Sequence, residues 1–166
     1  VRLFFSDSLE ESRDLVRQLE ELNSRRQRTE EKIFDQARSK IEEKGLADRY
    51  KCLVLGSEEW HRGVIGIVAS KLKDRFHRPV FAFADDVDGR LKGSGRSIAG
   101  LHLRDALDLV SKRFPGVLER FGGHAAAAGA TLHPGRLEEF GAAFEAVARE
   151  LLSPADLEQR IETDGE

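Results

Sequence analysis

KCLVLGSEEWHRGVIGIVASKLKDRFHRPVFAFA, residues 51–84, decides the fold class. Residues 51–55 form an apolar run of strand length. Residues 56–62 are polar and open with glycine, as a loop does. Residues 63–76 put Val64, Ile67, Val68 and Leu72 on one face at helical spacing. Residues 79–84 (PVFAFA) are apolar throughout, the pattern of a buried strand. Strand, helix and strand in that order point to an α/β domain.

Working towards the C-terminus, Asp88-Gly89 signals a turn and residues 90–97 read as extended and glycine-rich. Leu103, Leu107, Val110 and Phe114 mark a helix that stops at Pro115-Gly116. Residues 121–132 are rich in small side chains and stay ambiguous: an alanine run favours helix, while Gly-Gly favours a turn. Residues 136–152 carry Leu137, Phe140, Phe144 and Val147, an amphipathic helix closed by Ser153-Pro154. Towards the N-terminus, residues 8–44 read as one helix. Ser8 and Glu11 fit a capping box, and Gly45 ends the helix. Leu15, Leu19 and Leu22 start its apolar stripe; Ile33, Ala37 and Ile41 resume it after the polar 23–28. Such a helix spans roughly 55 Å at 1.5 Å per residue. Its thin stripe fits a bridge between two packed bodies, or a solvated or coiled-coil arm. The expected architecture is a mixed β-sheet flanked by helices, preceded by a long connector helix. Residues 1–45 are the connector, 46–153 the α/β domain and 154–166 an acidic linker tail.

The composition bounds the function. The chain has 166 residues, 40% of them hydrophobic and 34% charged, enough apolar content for one core. No apolar run approaches the roughly 18 residues of a membrane span. Arg2 and Asp7 bracket only Leu3-Phe4-Phe5, which is no secretory leader. One cysteine, Cys52, excludes an internal disulfide and a Cys-rich metal cage, and fits a reducing cytoplasm. The chain opens on Val1 and has no Met, so it is expected to be a piece of a longer protein. Its formal charge of -3 hides a gradient: residues 51–133 carry +4 and residues 134–166 carry -6. Eleven of the 15 glycines lie in the basic middle, which suits a phosphate-bearing ligand.

Three clusters there could carry chemistry. Glu59-Trp60-His61-Arg62-Gly63 opens a helix, whose N-terminus attracts anions. Arg62 adds charge, and Trp60 either stacks on a base or is a core aromatic. In Leu91-Lys92-Gly93-Ser94-Gly95-Arg96-Ser97, two glycines let a ligand approach the backbone, Ser94 and Ser97 can donate to phosphate oxygens, and Arg96 can clamp one. A glycine-kinked strand with a solvated arginine is the alternative. In Phe121-Gly122-Gly123-His124, the glycines turn the chain and hold His124, a phosphate donor, an acid–base group or a structural residue. Asp85, Asp86 and Asp88 read as a polar turn.

Taken in order, WHRGVIGIVASKLKDRF (60–76), HRPVFAFA (77–84), LKGSGRSIAGLHLRDAL (91–107) and FGGHAAAAG (121–129) resemble the RecJ family of single-strand-specific exonucleases, within the DHH phosphoesterase superfamily. ELNSRRQRTEE (21–31) is also family-like. The resemblance implies a DHH-associated α/β domain that grips single-stranded DNA. It implies a separate N-terminal DHH domain that holds Mn2+ or Mg2+ and performs 5′-to-3′ hydrolysis in DNA repair and recombination. No Asp-His-His triplet occurs here, so no metal site is expected and the chain alone is expected to hydrolyse nothing. Carried over, Ser94 and Arg96 hold a DNA phosphate near its 5′ end, with Ser97 a weaker candidate. Gly122, Gly123 and His124 face the metal domain, His124 meeting substrate phosphate. Trp60, His61 and Arg62 line the same cleft. A helicase or a single-strand-binding protein as partner is implied by the family only. A small-nucleotide or oligoribonucleotide phosphodiesterase of the superfamily and a non-catalytic interaction module are the competing readings. The pairing of WHRGVIGIVA with GSGRSI favours the exonuclease.

Overall fold

The computed structural model describes residues 8–159. The leader reading at residues 1–7 and the end of the acidic tail, 160–166, lie outside the described residues. Ser8 caps α1 (Leu9–Glu43), its Oγ accepting the Glu11 N–H at 3.4 Å. This helix runs unbroken for 35 residues, but its halves differ. Leu9, Val16, Leu19 and Leu22 are exposed, whereas Ile33, Ala37 and Ile41 are buried. Gly45, at φ +58, ends it and leads into the single turn of α2 (Leu46–Arg49).

β1 (Leu53–Ser57) starts two residues later than the apolar run in the sequence. The cause is a distant carboxylate. Glu145 accepts the backbone N–H groups of Lys51 and Cys52 at 3.1 Å, so ladder pairing begins with the Leu53 N–H on Pro79 O. The same carboxylate lies 3.2 Å from Cys52 Sγ. Burial, reinforced by Glu145, pushes the Cys52 thiol well above its ordinary pKa.

α3 (Ile65–Phe76) crosses to β2 (Val80–Asp85), which pairs parallel to β1. β3 (Leu91–Arg96), α4 (Leu103–Arg113), β4 (Arg120–Gly123), β5 (Ala127–Leu132) and α5 (Leu137–Leu151) follow. The sheet order is β1-β2-β3-β5-β4, and every pair but β1–β2 is antiparallel. The fold is thus the expected mixed sheet between helices, behind a long leading helix. Ambiguous from sequence, residues 121–132 form the β4–β5 hairpin. Alanine's helix preference loses because Ala127–Leu132 pairs along its whole length with β3.

Two cores flank the sheet. Alternation along β2 sends Phe81 and Phe83 to the α4–α5 side, and Val80, Ala82 and Ala84 to the α1–α3 side. Phe81 meets Phe140 and Phe144 edge-on at 5.3 and 5.2 Å. Each such buried ring contributes roughly 1.5–3 kcal/mol. Gly93 and Gly95 lie opposite Phe83 and Phe81 in register. A Cβ at either would stand 2.3 or 2.4 Å from the facing ring. These two glycines therefore make room for the aromatic core, which corrects the expectation that they admit a ligand.

On the other side, α1 is pinned to α3 by its buried Ile33, Ala37 and Ile41 and by the Glu30–Lys71 pair at 2.6 Å. This layer packs on β2 and β3 and leaves β5 and β4 open: Arg120, Gly122 and Gly129 are exposed. Beyond α5, Ser153 and Asp156 form a capping box around the 3-10 turn Pro154–Leu157, and Arg78 Nη1 donates to Leu157 O at 2.9 Å. Among the described residues no helix is long and apolar enough to cross a membrane.

Candidate nucleic-acid interface

The same alternation that gives Gly93 and Gly95 to the core turns Lys92, Ser94 and Arg96 to the opposite face. There they meet the first turn of α3. A Cβ on Gly66 would lie 3.0 Å from both Arg96 Nη2 and Ser94 Oγ, so glycine gives these two side chains room at the start of the helix. Between them opens a cavity of about 630 Å³ lined by Arg62, Gly63, Gly66, Lys92, Ser94 and Arg96.

Its electrostatics favour an anion. Arg96 Nη1 donates to Ser94 Oγ at 3.0 Å and to Gly95 O at 2.7 Å, and among the described residues Arg96 forms no ion pair. Its charge is thus aimed but not cancelled. Lys92 Nζ donates to Thr131 Oγ1 at 3.1 Å. At the start of α3 the Ile67 N–H is taken by Val64 O at 3.1 Å, which leaves the Ile65 and Gly66 N–H groups without a partner in the helix, and the helix dipole places positive charge at the same spot. Guanidinium, hydroxyl, ammonium and helix N-terminus together form a polar, water-open seat for a phosphate.

Not every sequence candidate reaches this seat. Ser94, Arg96 and Arg62 converge on it. His61 stands exposed just before it, its Nδ1 accepting the Gly63 N–H at 3.1 Å and shaping the entry to α3. Trp60 is only 6% exposed, and its Nε1 donates to Gln36 Oε1 of α1 at 3.3 Å. It is the core aromatic of its two readings and offers no face to a base. Ser97 is 7% exposed and its Oγ donates to Leu101 O at 2.8 Å, so its hydroxyl is spent on the backbone.

The GGH segment ends β4. Gly123 has φ +141, and a Cβ there would lie 2.5 Å from Ala127 O, so the hairpin demands glycine. The His124 N–H closes the turn on Ala127 O at 2.8 Å, and the residue is exposed. Gly122 pairs with Gly129, which pairs with Ser94, so one cross-strand row joins the GGH strand to the cavity. His124 itself follows β4 in the turn and does not line the cavity.

Sequence reasoning missed Gly66, whose part is purely steric, and Lys92 and Arg120. Lys92, Thr131 and Arg120 form a second cross-strand row on the open face. The period-two spacing of 92, 94 and 96 was the available signal for Lys92. Arg120 had none, because its strand was unread. Among the described residues no three His, Cys, Asp or Glu side chains converge as ligands, so the residues present do not fit a divalent ion.

Comparison with known proteins bears out the resemblance. The DHHA1 domain family matches residues 49–150. The single-stranded-DNA-specific exonuclease RecJ of Salmonella typhimurium is 43% identical over 99% of this chain, which covers 29% of that protein. The Escherichia coli RecJ is 42% identical over the same shares. The crystal structure of RecJ in complex with Mn2+ from Thermus thermophilus matches with a TM-score of 0.78 at 35% identity, over 92% of this chain and 22% of that one. The chain therefore spans less than a third of the length of these relatives.

Proposed function

The chain belongs to the DHHA1 domain family, and on that premise we propose that it is the substrate-gripping part of a RecJ-like, single-strand-specific 5′-to-3′ DNA exonuclease. Residues 46–153 bind the phosphate backbone of a single DNA strand. Residues 1–45 connect them to a DHH domain, and 154–166 lead onward. Mn2+ or Mg2+ in that DHH domain supplies the charge stabilisation and the activated water for phosphodiester hydrolysis. The parent works in DNA repair and recombination in the cytoplasm, where a helicase or a single-strand-binding protein would be its natural partner.

This chain's own residues bind and orient. Arg96 presents its guanidinium to a phosphate near the 5′ end, Ser94 Oγ fixes the guanidinium's angle and adds a donor, and the N–H groups at the α3 N-terminus donate to the remaining negative oxygen. The strand then crosses the bare sheet face over Gly129 and Gly122 towards His124, which meets the phosphate facing the metal domain. Arg120 and Lys92 bank the path with positive charge. The observation that carries this reading is Arg96: a guanidinium held by its own strand, unpaired by any carboxylate among the described residues, at a helix N-terminus.

The test is a titration of the chain with a labelled single-stranded oligonucleotide, 5′-phosphorylated or 5′-hydroxyl, at two salt concentrations. Binding should be weak, favour the phosphorylated strand and fall with salt, with a log–log slope of about -0.7 per phosphate contact. Arg96→Ala should weaken it about tenfold, the low end for a charge-assisted hydrogen bond. Unchanged affinity in Arg96→Ala would refute the reading.

A further inference from the structure

Arg62 is the cavity's most exposed cation, its side chain 62% accessible. A free arginine at such a rim would lose much side-chain entropy on binding a phosphate. Arg62 is not free. Its Nη1 lies 2.7 Å from Asp86 Oδ1. The Asp86 side chain is 10% accessible, and the same Oδ1 accepts the Val87 N–H at 2.9 Å. The backbone of Asp86 is fixed as well. Its N–H donates to Arg90 O at 2.8 Å and its carbonyl accepts the Gly89 N–H at 3.0 Å, closing the β2–β3 turn. The carboxylate is a fixed post, and it ties one of the five N–H donors of Arg62. Its neighbour Asp88 differs, being fully occupied with Arg90 in the turn itself.

A carboxylate beside an anion seat is unfavourable on charge alone, since it repels the phosphate that the seat attracts. We propose that Asp86 is a positioning residue for phosphate binding: it holds the Arg62 guanidinium extended at the cavity rim, where its free edge meets the phosphate next to the one held by Ser94 and Arg96. The proposal rests on the nucleic-acid reading of the cavity. It makes the β2–β3 turn, otherwise a plain polar turn, part of the site.

The two views of Asp86 predict opposite signs. Asp86→Asn keeps the side-chain shape and the acceptor for Val87 but removes the charge. If Asp86 merely repels, the variant binds a 5′-phosphorylated single-stranded oligonucleotide more tightly. If it positions Arg62, the variant binds about three- to tenfold more weakly despite its extra positive charge. The salt slope then becomes shallower by about 0.7, the share of a single phosphate. Arg62→Ala should weaken binding to a similar degree, and adding Asp86→Asn to it should cause no further loss, only the slight gain expected from removing a repelling charge. Equal or tighter binding by Asp86→Asn overturns the proposal. So does a loss of equal size in the Arg62→Ala background, which would mark a fold defect. Arg96→Ala, run alongside, separates the two claims: if it binds like the unsubstituted chain, the cavity reading fails and this one with it. If it weakens while Asp86→Asn does not, only the role of Asp86 fails.

Discussion

Gly93 and Gly95 share β3 with Ser94 and Arg96 but serve the opposite face, so one strand answers to two demands at once. A methyl at Gly93 would stand 2.3 Å from the Phe83 ring. Gly93→Ala should therefore cost about 1–3 kcal/mol through overpacking, read as a lowered denaturant midpoint. Gly122→Ala, where a Cβ would meet nothing within 4 Å, should leave stability nearly unchanged. Equal stability of the two variants would contradict the assignment of the β3 glycines to the core. At this scale the sequence is legible where residue type and role coincide. Arg96 and Ser94 carry donors that suit phosphate, and both face the cavity. It misleads where one type serves two environments. Trp60 and Ser97 have donors too, but theirs are satisfied inside the protein, by Gln36 and by Leu101 O. Residue type does not report burial.

Element by element, α1 is the clearest case of a helix whose halves live in different surroundings. Ile33, Ala37 and Ile41 pack on α3, while Leu9, Val16, Leu19 and Leu22 face solvent in the chain by itself. Helical propensity alone leaves a short solvated stretch marginal. Amide hydrogen exchange should therefore be fast over residues 9–28 and slow over residues 30–43. Uniform protection along α1 would show that the exposed leucines need no partner. The 3.6-residue period made α1, α3, α4 and α5 readable, because the burial of each is periodic along its own sequence. The β4–β5 hairpin was not readable. Its inner strand β5 is held by β3, some 30 residues earlier in the chain, and β4 pairs only with β5; alanine and glycine carry no strand preference of their own. The late start of β1 has the same origin, since Glu145 on α5 takes the N–H groups of Lys51 and Cys52.

Over the whole molecule, the order of elements revealed a mixed α/β sheet, but the strand order β1-β2-β3-β5-β4 depends on pairings that no local pattern encodes. That order is what builds the site. It sets β3 between β2 and β5, so that Ser94 in the cavity and Gly122 of the GGH strand stand in one cross-strand row. The central claim is that the cavity at Ser94, Arg96 and the first turn of α3 receives a nucleic-acid phosphate. Its most direct test is amide chemical-shift mapping of the 166-residue chain titrated with a 5′-phosphorylated dinucleotide. The largest shifts should fall on residues 62–67 and 92–96, with smaller ones at 122–124. Shifts confined to a second cavity, lined by Tyr50 and Val54 on one side and Gly141 and Ala142 of α5 on the other, or spread without focus over the basic surface, would contradict it.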